Sequence, residues 1–136
     1  MHVNNEIGNI LDIKRVADLC KLNNALFHSD AVQSVGHYKM DLQDIPVDFL
    51  AASAHKFYGP KGVGALYVRR KNPRVKVTSQ MDGGGHERGM RSGTLNVPGI
   101  VGFGKACEIA QNEMDGEAVR LSAMRDRLEK ELLTIE

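Results

Sequence analysis

Asp30 and Lys56 each follow directly on a short apolar run, the position at which open α/β sheets gather their ligand sites. On spacing alone the carboxylate and the amine read as a salt bridge. Their neighbours point elsewhere. Gln33 lies three residues after Asp30, Ser53 and His55 flank the lysine, and the loop Gly59-Pro60-Lys61-Gly62 keeps bulk away from it. Carboxylate, amide, hydroxyl, imidazole and amine converging on one cleft suit a heteroaromatic phosphate ester.

Pyridoxal phosphate (PLP) is such a molecule, and each residue type has a use toward it. A lysine that forms a Schiff base must be partly deprotonated, which a desolvated or cation-rich pocket favours. The pyridine ring is a better electron sink when its nitrogen is protonated, and an adjacent aspartate holds that proton in place. A hydroxyl and an imidazole beside the lysine can meet phosphate oxygens through charge-assisted hydrogen bonds. An amide can hold the phenolic oxygen and keep the ring at a fixed angle.

The elements that must position these groups are legible from periodicity. From Asp12, an N-cap, Ile13, Val16, Ala17 and Cys20 recur at helical spacing until Asn23-Asn24 ends the pattern. Residues 25–29, 48–53 and 63–68 are short strand candidates, the last stopped by Arg69, Arg70 and Lys71. Residues 82–94 have no secondary-structure period. Two helices are expected after them: Val97, Ile100, Val101, Gly104 and Cys107 outline the first, and Leu121, Met124, Leu128 and Leu132 the second. This order predicts an α/β layered domain. Residues 1–8 open on a turn and the final helical pattern runs to Glu136, so both ends read as cut and the chain as an internal fragment.

Composition narrows the function classes. The chain has 136 residues, enough for one core, with 42% hydrophobic and 26% charged residues and a net charge of +1. That balance argues against nucleic acid or an anionic membrane as the main partner, since both reward a basic surplus. No apolar run approaches the roughly 18–20 residues that span a bilayer, and no signal peptide is evident. Cys20 and Cys107 lie far apart in apolar helical patterns, so both read as small buried hydrophobes in a reducing, cytoplasmic setting. His2, His28, His37 and His86 lack ligand spacing, and no metal site is expected. The basic run 69–76 reads as a solvated loop. Arg88 and Arg91 could contact a cofactor or a partner, or only order their own loop beside Glu87.

Four segments carry a resemblance. N-N-E-I-G (4–8), H-S-D-A-V-Q-S-V-G (28–36), S-A-H-K-F-Y-G-P-K-G-V-G (53–64) and G-G-G-H-E-R-G-M-R-S-G-T (83–94) resemble, in order and in register, the cysteine desulfurases of the NifS/IscS type. These belong to the class V aminotransferases of PLP fold type I. The last segment separates this branch from the related SufS and selenocysteine-lyase branch.

The resemblance implies a fold, roles and partners. The fold would be part of a mainly parallel-sheet large domain over residues 1–112, with 113–136 starting the smaller C-terminal domain. Lys56 would hold PLP and move protons, Asp30 would pair with the pyridine nitrogen, and Gln33 would bond the phenolic oxygen. Asn5 would sit near that oxygen and the substrate carboxylate, while Ser53 and His55 would hold the phosphate. Thr94 would reach the cofactor phosphate of the other subunit in a homodimer. L-Cysteine would be the substrate and L-alanine the product. Sulfur would pass, as an enzyme persulfide, to an iron–sulfur scaffold or another sulfur-acceptor protein. Ala54 departs from the glycine of many relatives without evident consequence. The sulfur-accepting cysteine and the substrate-binding arginine match no residue here, so the fragment alone is expected to be inactive. Two other readings stay open: a different class V PLP reaction, such as selenocysteine lysis or transamination, and a non-catalytic α/β interaction module.

Overall fold

The computed structural model describes residues 1–135. Its first helix, α1 (Ile13–Leu22), starts where the periodicity places it: the Asp12 carboxylate accepts from the Arg15 backbone N–H at 2.9 Å, satisfying an otherwise orphaned donor. α1 buries Ile13 and Ala17 and leaves Leu19 and Leu22 exposed, so one narrow stripe faces the core.

Three strands form one sheet in the order β1 (His28–Asp30), β2 (Phe49–Ser53), β3 (Gly64–Val68). β1 and β2 are parallel, with Asp30 opposite Ala51; β2 and β3 are antiparallel, with Ser53 opposite Gly64. β1 starts three residues later than expected. Asn24 takes a left-handed backbone and Ala25 N–H bonds to Cys20 O, so residues 24–25 close α1 rather than open the strand. A short 3-10 turn, Ala54–Phe57, continues directly from β2 and carries Lys56; it is termed the lysine turn below.

The core lies between α1 and the sheet, where Ala17, Ala31, Val47 and Leu50 are buried together and Phe27 and Tyr67 pack against them. Arg69 corrects the expectation of a solvated basic loop. Its guanidinium is part-buried and donates to three carbonyls, Val47 O at 2.8 Å, Ile45 O at 3.1 Å and Leu42 O at 3.3 Å. It therefore holds the entry to β2 against the exit of β3. Val75, a little further on, is also buried.

The C-terminal region corrects a second expectation. One unbroken helix, α2 (Val97–Leu132), replaces the two expected, and residues 112 and 113 lie inside it. Gly116 sits in open space within the helix and has no left-handed backbone. A mid-helix glycine costs only about 1 kcal/mol, less than is needed to end a helix. Asn96 caps the start, its carboxamide oxygen accepting from Gly99 N–H at 3.2 Å. None of the described helices is long and apolar enough to cross a membrane.

Candidate functional site

The parallel pairing of β1 and β2 brings the candidate residues to one edge of the sheet. Asp30 ends β1 opposite Ala51, and Ser53 lies two residues beyond Ala51 on the neighbouring strand, about 7 Å farther along at some 3.3 Å per residue. Both strands thus deliver their chemistry from the same, C-terminal, end. Immediately beyond, the lysine turn ends on Tyr58 in a left-handed backbone (φ 67°), and Gly59 N–H closes back on Ala54 O at 2.9 Å. A Cβ on Gly59 would sit 2.8 Å from the Ala54 carbonyl oxygen, so the return is too tight for any larger residue.

Lys56 is exposed, and its Nζ makes no hydrogen bond or ion pair among the described residues. The salt bridge that the spacing allowed with Asp30 does not form. Asp30 instead accepts from Val32 N–H through Oδ1 at 2.8 Å, while Oδ2 has no protein partner among the described residues. Ser53 Oγ and His55 Nδ1 lie 2.8 Å apart. If the serine hydroxyl turns outward to an anion, its oxygen is free to accept from Nδ1–H, so the pair is suited to phosphate.

Gln33 is half-buried in the helical turn that follows Asp30, and its amide makes no hydrogen bond among the described residues. Asn5 and Thr94 are not drawn to this edge by any hydrogen bond to the others. The Asn5 amide donates to Glu6 Oε1 at 2.8 Å within a polar turn. That turn is tethered to the site end of β1 by His2 N–H, which donates to Asp30 O at 2.7 Å. Thr94 is exposed, between Gly93 and the N-cap Asn96. Arg91 donates to Gly93 O at 3.2 Å and so orders its own loop. Arg88 instead lines a cleft with Arg69, Arg70, Lys71 and Arg74, at the end of β3 remote from Lys56.

His37 is the residue that sequence reasoning missed. Considered only as a metal ligand, it drew no role, yet its Nε2 donates to Lys56 O at 3.0 Å. The signal was its place one residue after Gly36, in a segment already known to carry Asp30 and Gln33.

The donor set fits a PLP-like group. A free amine, a carboxylate with an uncommitted oxygen and a hydroxyl–imidazole pair lie at one sheet edge, on a turn that Gly59 closes tightly against Ala54. Both cysteines are unpaired thiols, and they correct the expectation of two buried residues: Cys20 is half-buried, whereas Cys107 is exposed on α2, whose outer turns no other described element covers. Burial pushes the Cys107 thiol pKa up from its ordinary 9.0.

Comparison with known proteins agrees with this arrangement. The class V aminotransferase family profile matches residues 1–136. The chain is 58% identical over 132 residues to the cysteine desulfurase IscS of Anaeromyxobacter dehalogenans, covering 97% of this chain and 32% of that protein. With the IscS of Haemophilus influenzae it shares 57% over 136 residues, 100% of this chain and 33% of the relative. Among solved structures, a NifS-like protein superposes with a TM-score of 0.91 at 44% identity, covering 98% of this chain and 36% of that one. DndA from Streptomyces lividans superposes at 0.88 and 37% identity, over 98% and 38% respectively. The chain therefore spans about a third of the length of the relatives it matches. Its fold is part of the PLP fold type I of the NifS/IscS enzymes, as the four segments implied. Class V aminotransferases and cysteine desulfurases depend on PLP as families. A lysine left free at the sheet end that carries a phosphate-suited pair and an aspartate, on a chain matched from end to end by the family profile, leads to one conclusion: the chain belongs to the class V aminotransferase family.

Proposed function

We propose that Lys56 carries PLP and that the full-length protein is a cysteine desulfurase. It would convert L-cysteine to L-alanine and pass the sulfur on as an enzyme persulfide. The observation that carries this reading is the unpaired Lys56 amine in the turn just beyond the C-terminal end of β2, the sheet end that also carries Asp30 and the Ser53–His55 pair.

When bound, PLP supplies an electron sink that weakens bonds at the substrate α-carbon. The chain's own residues supply the rest. Asp30 Oδ2 holds a proton on the ring nitrogen, and Ser53 and His55 bind the phosphate by charge-assisted hydrogen bonds. Gln33 donates to the phenolic oxygen, and Asn5 stands by it and by the substrate carboxylate. Lys56 Nζ would take and return protons at the substrate carbons as a general base and acid. Neither Cys20 nor Cys107 matches the position of the sulfur-accepting cysteine in the family that the four segments resemble.

Several finer assignments belong to the same proposal. Residues 1–112 would form part of the PLP-binding large domain, and 113–136 would lead α2 into the small domain. Thr94 would reach the cofactor phosphate of the partner subunit in a homodimer, which accounts for its lack of contacts with the other site residues. An iron–sulfur scaffold or another sulfur-acceptor protein would receive the sulfur, in the cytoplasm. The decisive experiment is to load the full-length protein with PLP, reduce it with borohydride and map the modified peptide. Label on Lys56 is expected, and label on any other lysine overturns the assignment.

A further inference from the structure

The segment that leaves β1 is locked at both ends to the site. Its start is held by Ala31 N–H, which donates to Ala51 O at 2.9 Å, and by the Asp30 carboxylate, which accepts from Val32 N–H. From there residues 31–38 wind as a helical turn: Val35 N–H donates to Ala31 O at 2.9 Å and Tyr38 N–H to Ser34 O at 2.9 Å. Ser34 is fully buried, and its hydroxyl donates to Ala31 O at 3.1 Å, so the turn is cross-braced. At its far end Gly36, with φ +84°, lies so close to Phe57 that a Cβ would stand 2.6 Å from the ring. One residue later His37 Nε2 reaches Lys56 O at 3.0 Å. A carbonyl can only accept, so the ring proton is on Nε2.

Among the described residues the accepting carbonyl has no other donor. Gly59 N–H, the donor three residues past Lys56, is spent on Ala54 O, and the Tyr58 N–H closes on the same oxygen. Lys56 O is one of the orphans that a helical terminus leaves behind. On the opposite side of the lysine turn, Phe57 packs on Phe103 of α2 with ring centroids 5.6 Å apart, but this fixes residue 57 and not the peptide plane of residue 56.

We infer that His37 is a positioning residue for Lys56. The turn over residues 31–38 is a strut between the Asp30 carboxylate and the Lys56 backbone, and His37 is its last link. By holding the Lys56 carbonyl, it fixes the backbone rotation from which the lysine side chain departs. The amine therefore starts from a set direction relative to Asp30. His37 touches neither cofactor nor substrate. The inference rests on the reading of Lys56 as the cofactor lysine.

The test uses the full-length protein stripped of cofactor, as wild type, His37→Ala, His37→Gln and His37→Asn. The glutamine amide reaches about as far as Nε2; the asparagine amide stops short. Hydrogen–deuterium exchange of the peptide spanning 54–59 is measured first, then the rate of covalent PLP capture followed by absorbance, with the thermal midpoint as a check on folding. His37→Ala and His37→Asn are expected to speed exchange at 54–59 and slow capture about fivefold, the worth of one net hydrogen bond. His37→Gln is expected to restore both to within about twofold of wild type. Should the alanine variant not fold, the asparagine–glutamine comparison decides alone. Unchanged exchange and capture in the variants, or a glutamine variant as impaired as the asparagine one, would overturn the inference. Borohydride label absent from Lys56 in the wild type sinks the Lys56 reading instead. In that event the cofactor-free exchange comparison still decides whether His37 holds the Lys56 backbone.

Discussion

Lys56 and Asp30 lie at the same end of the sheet without pairing, and that leaves each free for its proposed task. An amine tied to the aspartate would be a poor nucleophile, and a carboxylate tied to the lysine could not serve a ring nitrogen. In the full-length protein, Lys56→Ala should abolish covalent PLP attachment and lower turnover by about 10²- to 10⁴-fold, the usual worth of a proton-transferring group. Absorbance of the loaded protein and a steady-state assay check it. Asp30→Asn should lower turnover while leaving borohydride labelling of Lys56 intact, because the amide cannot hold the ring proton as a counter-charge. Cys107 gives a pH prediction. Its thiol pKa is raised by burial above 9.0, so the neutral thiol's contribution to folding is fully present below pH 9.0 and is lost as the pH rises through the folded value. Alkylation at pH 8 should accordingly be slower at Cys107 than at an unhindered cysteine, which peptide mapping after iodoacetamide treatment measures. The gathering of Asp30, Ser53, His55 and Lys56 at one end of the sheet was legible because residue type and strand-end position coincide. Asn5 and Thr94 were not, since nothing in their spacing draws them to the site and only the family resemblance assigns them a role. His37 escaped because a bond to a backbone carbonyl leaves no trace in side-chain spacing.

Among the elements, α1 and the three strands were legible to within a few residues, α1 from its cap and helical spacing and the strands as short apolar runs bounded by polar turns. The helix α2 was read as two because Asp115-Gly116 resembles a stop, although Met114 and Ala118 continue the helical spacing of Cys107 and Ala110 on to Leu121. Helical hydrogen bonding carries the chain through this point at the cost of one glycine. The lysine turn depends on a contact that no periodicity announces, the backbone of Gly36 against Phe57, a residue only 2% exposed. Gly36→Ala should destabilise the protein by about 1–3 kcal/mol through overpacking, with a further penalty of about 1 kcal/mol for the left-handed backbone. Denaturant titration measures the loss, and covalent PLP capture should slow with it, since the displaced ring belongs to the residue after Lys56.

On the scale of the whole molecule, α2 is the outstanding feature. Its 36 residues extend about 54 Å at 1.5 Å per residue, yet it buries only Gly99 and Ala106. Val101 is 65% exposed and Val119 73%, and Leu128 and Leu132 are also open to solvent. Apolar surface on this scale is unusual for a free-standing monomer, and relatives are about three times as long. The isolated chain should therefore bind a hydrophobic dye strongly and self-associate, and the full-length protein should do neither to the same degree; dye fluorescence and light scattering compare them. The fold class was legible because its local units are complete, whereas the covering of α2 was not, because it depends on surfaces that sequence periodicity within this chain does not describe.

The antiparallel return of β3 along β2 has a kinetic consequence. A parallel neighbour would require a crossover of a dozen or more residues, but β3 follows β2 through ten residues, 54–63, that include the lysine turn itself. Closing so short a loop costs little chain entropy, and contacts local in sequence form early. The hairpin over residues 49–68 should thus assemble ahead of the β1–β2 pairing, with Lys56 already at its tip. The course of the lysine turn would be set within a twenty-residue unit, and the segment carrying Asp30 and His37 would dock on it afterwards and fix the direction of the amine.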